Sequence, residues 1–291
     1  LDAVSLQPAA GAHGELTGML VFSAYHKKQG KPRTKILIPD TAHGTNPASA
    51  ALCGFRAVPV KSNEHGVLSP DVVAELMDEE TAGIMVTNPN TLGLFEEHIK
   101  AVAEIVHAKG GLVYGDGANM NAIMGIVDVG ATGVDVLHLN LHKTFSTPHG
   151  GGGPGAGPVC VQKHLAPFLP VPRVMKEGSR YFLAEDFPDS IGKLHAFYGN
   201  FGVMVKAYSY ILSLGAHLKE VSQLAVLNAN YVKEQLKDVL HLPYDRPCMH
   251  ECVFSDHGLE RDGVKTLDIA KRLIDYGFHP PTIYFPLVVH G

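Results

Sequence analysis

Short, wholly apolar segments alternate with amphipathic helical segments over the first two-thirds of the sequence. This alternation constrains the fold more than any other feature. Such strands, buried on both faces, are typical of a mainly parallel sheet covered by helices. In sheets of this kind, ligands bind at the carboxyl ends of the strands. The predicted strands are Lys35–Pro39, Arg56–Val60, Gly83–Thr87 and Gly111–Asp116.

The pattern changes after about Lys193, where longer helical periodicity replaces the strand–helix alternation. Apolar residues at helical spacing indicate helices, and short runs rich in β-branched and aromatic residues indicate strands. The later elements are predicted as a helix over Val221–Leu236, a strand at Glu251–Phe254, a helix at Val264–Tyr276 and a strand at Thr282–Val289.

The sequence therefore predicts an α/β fold in two parts. Residues 1–195 form a large ligand-binding domain, and residues 196–291 form a bridging helix and a small α+β domain. A predicted strand lies almost directly at each end of the chain. We therefore expect the large domain to be incomplete at its N-terminus and the small domain at its C-terminus.

Charge and hydropathy exclude some classes of partner. The chain has 291 residues, with 24 Lys+Arg against 29 Asp+Glu, so it offers no basic field for nucleic acid or an anionic membrane. No apolar run approaches the roughly 20 residues that cross a bilayer, and no signal peptide is recognisable. The four cysteines form no C-x-x-C pair, and we expect reduced thiols and a cytoplasmic location.

A single lysine, Lys143, follows a predicted strand and precedes the four glycines Gly150–Gly153. A lysine supports imine chemistry when its amine is partly desolvated and held in place. Consecutive glycines let the backbone approach a ligand and present amide donors to a phosphate. An isolated lysine in a turn is usually only solvated. The glycine run is what favours a catalytic lysine here.

Asp116 ends another apolar strand and is followed by small residues. A carboxylate in that position can keep a pyridinium nitrogen protonated, which makes the ring an electron sink. Taken alone, such an aspartate is more often a helix cap. Asp116 precedes Lys143 by 27 residues, which leaves room for a helix and a return to the same sheet edge.

Three other segments with candidate ligand-binding residues follow directly after predicted strands. The turn Gln7–Gly18 opens a helix whose N-terminal amides suit a phosphate. His43 follows a strand and could stack on an aromatic ligand or serve only in a turn, and Asn88 and Thr91 are candidate substrate ligands.

His138 and His142 have H-x-x-x-H spacing, but the residues around them alternate as in a strand, so we predict no metal site.

These segments together resemble the glycine cleavage system P-protein family, which is glycine dehydrogenase (decarboxylating). The resemblance covers essentially the whole chain and is greatest to the second subunit of the split bacterial form. It is carried by the motifs at Pro8–Glu15, Ala42–Pro47, Thr87–Thr91, Asp116–Asn119, His138–Gly157, Tyr198–Phe201 and His279–Thr282.

The resemblance implies a fold-type I enzyme dependent on pyridoxal 5′-phosphate (PLP), with roles for particular residues. Lys143 would form the Schiff base, Asp116 would pair with the ring nitrogen, and His43 would stack on the ring opposite Ala118. These three, Lys143, Asp116 and His43, are the catalytic candidates. Further cofactor ligands would be Ala10, Gly11 and Ala12 at the phosphate, together with Thr45, His142 and Gly152.

The implied activity is that of an oxidoreductase that releases CO2 from glycine and transfers the aminomethyl group to the lipoyl arm of H-protein. Expected partners are glycine, lipoylated H-protein, P-protein subunit 1 and further copies. Two alternatives remain: another fold-type I amino-acid enzyme catalysing hydroxymethyl transfer or decarboxylation, and a non-catalytic partner subunit. The presence of both Lys143 and Asp116 argues against the non-catalytic subunit.

Overall fold

The computed structural model describes residues 1–147, 149, 153–259, 261, 263–284 and 286–289. Its strands are β1 Ala3–Ser5, β2 Lys35–Pro39, β3 Arg56–Val60, β4 Thr81–Thr87, β5 Leu112–Gly117, β6 Val136–Leu139, β7 Val159–Val161, β8 Arg173–Glu177 and β9 Arg180–Ala184. Its α-helices are α1 Gly11–Lys28, α2 Thr45–Leu52, α3 Pro70–Leu76, α4 Ile99–Ala108, α5 Phe201–Leu214, α6 Leu218–Leu236 and α7 Thr266–Asp275.

The main sheet has seven strands in the order β1-β7-β6-β5-β4-β2-β3, and β2 to β6 run parallel. Strands β7 and β1 join one side in antiparallel pairings, and β8 and β9 form a separate hairpin. The register places Thr87 beside Asp116 and Asp116 beside His138. The carboxyl ends of β4, β5 and β6 therefore lie next to one another.

Helices cover both faces of the sheet, as the apolar strands predict. On one face Met19 and Phe22 of α1 pack against Tyr114 of the sheet. On the other face Val102 and Val106 of α4 are fully buried. Burying each such aliphatic side chain contributes about 1.5–3 kcal/mol. These two layers hold the strand ends in place, and they confirm the predicted α/β fold class.

The C-terminal part differs from the sequence prediction. Helices α6 and α7 form where periodicity predicts them, but the strands predicted at Glu251–Phe254 and Thr282–Val289 are wrong. One antiparallel bridge, between His241 and Ser255, is the only β-pairing among the described residues beyond β9. Tyr284 has a φ of 68°, which is incompatible with a strand. A strand also needs a neighbour to satisfy its backbone groups, and the described residues provide none at either segment.

The described helices include none that is both long and apolar enough to cross a lipid bilayer.

Candidate active site

The carboxyl ends of the parallel strands open onto one cleft with a volume of about 540 Å³. The N-terminus of α1 forms one wall, and the turn after β6 forms another. Most of the residues that the sequence suggests for a cofactor meet in this cleft. Those lining it are Ala10, Gly11, Ala12, His43, Thr45, Thr91, Ala118, His142 and Lys143.

Helix α1 points its N-terminus at the cleft. The N–H of Gly14 donates to the carbonyl of Ala10 at 2.9 Å, so the amides before Gly14 precede the first helical hydrogen bond. Such amides carry the positive end of the helix dipole and suit a phosphate. A Cβ on Gly11 would lie 2.1 Å from Nδ2 of Asn140, so glycine permits α1 to approach the end of β6 this closely.

His43 lines the cleft and is hydrogen-bonded to Asp116, whose buried carboxylate lies behind it and borders the adjoining small pocket. His43 Nδ1 accepts the N–H of Thr45 at 3.3 Å, and His43 Nε2 lies 2.9 Å from Asp116 Oδ2. Because Nδ1 is an acceptor, Nε2 carries the proton and donates it to the carboxylate. The Ala118 N–H donates to the other carboxylate oxygen at 2.9 Å.

The environment keeps Asp116 ionised although it is buried. Burial alone would raise its pKa, but the His138 and His43 imidazoles and the Ala118 N–H lower that pKa to about 2. Burial is the largest single effect on the pKa of His43 and lowers it, but the hydrogen bond to Asp116 and the negative charges of Asp116 and Glu15 together outweigh burial and leave the pKa raised. A buried carboxylate that is held in its charged form therefore lies directly behind His43.

Lys143 lies in the turn after β6, where its N–H donates to the carbonyl of Asn140 at 3.0 Å. The neighbouring His142 ring lies 4.1 Å from the ring of His149, centroid to centroid. Burial, His149 and Lys143 lower the pKa of His142 to about 4, so this imidazole is neutral at pH 7. The predicted ligand Gly152 lies outside the described residues.

The two predicted substrate ligands lie in different places. Thr91 lines the cleft, and its hydroxyl donates to the carbonyl of Thr41. Asn88 lines a separate small pocket, where its side-chain oxygen accepts the N–H of Glu96 at 3.0 Å. The structure thus brings Thr91 into the cleft and leaves Asn88 outside it.

Several cleft residues were not singled out in the sequence. Asn46, in α2, donates to Asp116 Oδ2 at 3.1 Å, and it belongs to the same polar segment as His43. Glu15 is the only carboxyl group in α1, and it is the last residue of the Pro8–Glu15 motif; these are the two signals for it. Glu251 and Thr282 come from the C-terminal part, where no sequence pattern indicated contact with the cleft. Other lining residues are Ala42, Thr87, Asn119, Asn140, His149 and Pro286.

One group among the described residues has the spacing of metal ligands. Donor atoms of Glu15, Asp116 and His138 all lie within 4.8 Å of one another. His142, the second histidine of the H-x-x-x-H spacing, is not part of the group. That no metal binds here stays a prediction.

The chemistry of the cleft fits a polar ligand such as PLP. Glu15 Oε2, Asn140 Oδ1 and His142 Nδ1 are buried and have no hydrogen-bond partner within the described part of the chain. Buried polar atoms normally find partners, so these atoms suit a ligand that supplies them. An ionised carboxylate, a lysine and a helix N-terminus complete the set of groups that a phosphorylated pyridine aldehyde requires.

Sequence profiles of two families match the chain. The profile described as aminotransferase class-V matches residues 15–174, more than half of the chain. The profile described as glycine dehydrogenase, C-terminal domain, matches residues 221–290.

Curated relatives are similar over almost the whole chain. A probable glycine dehydrogenase (decarboxylating) subunit 2 from Caldanaerobacter subterraneus subsp. tengcongensis is 60% identical over 99% of this chain. The protein of the same name from Alkaliphilus oremlandii is 59% identical over 100% of the chain. The chain spans 60% of the length of each of these relatives.

Solved structures share the fold. A glycine decarboxylase (P-protein) of the glycine cleavage system, in inhibitor-bound form, superposes with a TM-score of 0.77 at 19% identity, covering 97% of this chain and 65% of that one. A NifS-like protein superposes with a TM-score of 0.69 at 16% identity, covering 95% of this chain and 70% of that one.

Proposed function

The chain belongs to the aminotransferase class-V family, and we propose that its cleft binds PLP through Lys143 and decarboxylates glycine within a glycine cleavage system. One observation carries the proposal: Lys143, the N-terminus of α1 and His43, which is hydrogen-bonded to the buried Asp116, all meet at a single cleft. Relatives 59–60% identical, named as probable glycine dehydrogenase (decarboxylating) subunit 2, support the choice of substrate.

Each group in the cleft has a distinct task in this proposal. Lys143 would hold the cofactor through Nζ, and the first amides of α1, at Ala10 to Ala12, would hold its phosphate. Asp116 would pair with the ring nitrogen, and His43 and Ala118 would hold the ring. When bound, PLP supplies an electron sink for the charge left on the substrate carbon. Thr45 and His142 serve as further cofactor ligands.

The surrounding residues prepare the site for that chemistry. Because its pKa is held near 2, Asp116 stays charged throughout the neutral range and keeps a proton on the ring nitrogen. His142, whose pKa is near 4, is neutral and can accept a hydrogen bond next to Lys143. Thr91 lines the cleft and is the better placed of the two predicted substrate ligands, whereas Asn88 would have to act indirectly.

The partners follow from the same proposal. The aminomethyl group left after CO2 release would pass to the lipoyl arm of H-protein. Subunit 1 and further copies of this chain are the expected partners in the cytoplasm. Exposed apolar side chains on α5, including Phe201, Tyr208 and Leu212, suit a surface covered by another chain.

Borohydride reduction followed by peptide mass spectrometry tests the attachment directly. The full-length protein, mixed with PLP and reduced, should carry phosphopyridoxyl on Lys143. K143A should lose the label and all turnover, whereas K61A, at an exposed lysine, should keep both. A label on another lysine would contradict the assignment.

Isotope exchange between bicarbonate and the carboxyl group of glycine, with lipoylated H-protein and subunit 1 present, tests the reaction. Exchange that depends on H-protein identifies glycine cleavage. A PLP-labelled protein that exchanges no carboxyl group would instead indicate another amino-acid reaction, such as hydroxymethyl transfer.

A further inference from the structure

Glu15 is a buried carboxyl group in the wall of the cleft, and the roles proposed above leave it unused. It lies in α1, four residues after Gly11, and its side chain points to the sheet. Only 3% of the residue is exposed, and Oε2 has no hydrogen-bond partner in the described part of the chain. A buried polar atom that opens on a ligand cleft without a partner indicates a role toward the ligand.

Titratable groups from several elements face Glu15. Donor atoms of Glu15, Asp116 and His138 lie within 4.8 Å of one another. The Ser49 side chain, on α2, lies near the carboxyl group and lowers its pKa. The other groups that interact with it are Tyr114 on β5, His43 in the loop after β2, and Lys143 in the turn after β6.

Two buried carboxyl groups this close do not both ionise, because their mutual repulsion is strong where water is excluded. Asp116 is the ionised one, since His43, Asn46 and the Ala118 N–H all donate to it. Burial, followed by the charge on Asp116, raises the pKa of Glu15 to about 8, against smaller opposing effects of His43, Lys143 and Ser49. Glu15 therefore carries a proton at pH 7.

We propose that Glu15 is a cofactor-site residue that must be protonated for PLP-type phosphates to bind tightly. This inference rests on the proposed function, because the ligand is the one assigned above. The proposed phosphate position, at the start of α1, is about one helical turn from Glu15. A neutral Glu15 adds a hydrogen-bond donor to the cleft, whereas an ionised Glu15 places a second negative charge near the phosphate and Asp116.

The test is the pH dependence of the dissociation constant (Kd) for pyridoxamine 5′-phosphate, measured by titration calorimetry on the full-length protein. This probe has the phosphate and ring of PLP but no aldehyde, so covalent bonding to Lys143 does not enter. We expect a constant Kd at about pH 7, then a rise of about tenfold per pH unit above the Glu15 pKa of about 8. The ring nitrogen of the probe also titrates at alkaline pH, so the comparison is made with E15Q, which stays neutral. The Kd of E15Q should lack the additional rise that ionisation of Glu15 causes in the wild type.

Two variants keep the test specific. E96Q removes another buried carboxyl group, which lies away from the cleft and accepts hydrogen bonds from the Leu68 N–H and the Asn90 amide. The pH dependence of Kd should be the same in E96Q as in the wild type. E15D keeps a titratable carboxyl and should retain a rise in Kd at alkaline pH. A wild-type Kd that does not change up to about pH 9.5, or an E15Q profile that follows the wild type, would overturn the inference.

Infrared spectroscopy of the ligand-free protein measures the protonation of Glu15 without any cofactor. The carbonyl band of a protonated carboxylic acid should be present at pH 7, weaken at pH 10 and be reduced in E15Q. A carboxylate signal for Glu15 at pH 7 would overturn the inference even if the probe binds. Failure of the probe to bind at any pH would instead overturn the proposed function and, with it, the ligand part of the inference.

Discussion

At the scale of single residues, the cleft depends on one buried carboxylate. Asp116 is 2% exposed and is stabilised as an anion by three donors: His43 and Asn46 from one segment and the backbone N–H of Ala118. Hydrogen bonds to a charged group are worth about 1.5–3 kcal/mol each. Because these donors replace the hydrogen bonds that water would make to the carboxylate, Asp116 can remain charged beneath a ligand.

Replacing Asp116 by asparagine keeps the shape and removes the charge. In D116N the pKa of His43 should fall below its ordinary value of 6.5, because burial continues to lower it and the anion that raised it is gone. Affinity for PLP should fall by about 10- to 100-fold, the equivalent of one charged hydrogen bond. NMR titration of the His43 imidazole and PLP binding measure the two effects.

One result for D116N would contradict this prediction. If the His43 pKa is the same in D116N and the wild type, the hydrogen bond between them does not control the imidazole. D128N, at an exposed aspartate, is the matched control and should change neither the pKa of His43 nor PLP affinity.

At the scale of elements, the packing of α1 on the sheet sets the position of the phosphate end of the cleft. A Cβ at Gly18 would lie 2.3 Å from Cε2 of Tyr114, a fully buried side chain. The absence of a side chain at this point allows α1 to lie close to β5. The helix N-terminus consequently reaches the strand ends.

Substituting alanine for Gly18 separates packing from helix propensity. Alanine favours a helix by about 1 kcal/mol, but overpacking a core costs about 1–3 kcal/mol, so G18A should lower the free energy of unfolding. G202A, in α5, has open space around the new methyl group and should be neutral or stabilising by up to about 1 kcal/mol. Urea unfolding of both variants measures the difference, and equal stability of G18A and G202A would contradict the close packing.

A hydrogen bond ties the end of α4 to the segment before β6. His107 Nε2 lies 2.8 Å from Asp135 Oδ2, and the same oxygen accepts the Val113 N–H at 2.7 Å. The hydrogen bond to Asp135 raises the pKa of His107, although burial opposes it. The folded protein therefore binds the His107 proton more tightly than the unfolded chain.

This linkage predicts how stability changes with pH. A base with a raised pKa contributes its full stability below its unfolded value of 6.5 and loses it as the pH rises through the folded pKa. H107Q should therefore destabilise the protein more at about pH 5.5 than at about pH 8.5. Urea unfolding at the two pH values measures this, with H65Q, at an exposed histidine, as the control. An equal loss of unfolding free energy at both pH values would show that protonation of His107 is not involved.

At the scale of the whole molecule, stability is concentrated in the sheet and its two helical layers. Among the described residues after 195, the buried apolar side chains are Val203, Ala207, Cys248, Ala270 and Val289. Local opening is easiest where few apolar contacts are buried. Hydrogen exchange should therefore be slowest in β2, β4, β5 and β6, and faster by orders of magnitude in α6 and α7.

The measurement is amide exchange resolved by peptide mass spectrometry on this chain alone. Uniform protection across residues 1–289 would contradict the expected gradient. The exchange boundary also tests the predicted division between residues 1–195 and 196–291, which stays a prediction. The C-terminal part contributes Glu251 and Thr282 to the cleft, so a ligand should slow its exchange.

Local pattern alone determined much of this protein. The apolar segments predicted β2 to β5 and helices α4, α6 and α7, because burial on both faces or on one helical stripe imposes a readable period. Residues placed just after strands, such as Lys143 and His43, were predicted to meet because carboxyl ends of parallel strands share one edge. A run of small residues likewise predicted the start of α1.

Tertiary structure alone decided which side chains touch. The order β6-β5-β4-β2 places Asp116 between its partners, and it brings Glu15 into the same cleft while Asn88 turns to Glu96. The apolar runs at Glu251–Phe254 and Thr282–Val289 read as strands yet form none. The physical reason is the same in each case: periodicity reports whether a residue is buried, whereas contacts between distant segments depend on strand order and available neighbours, which no local pattern encodes.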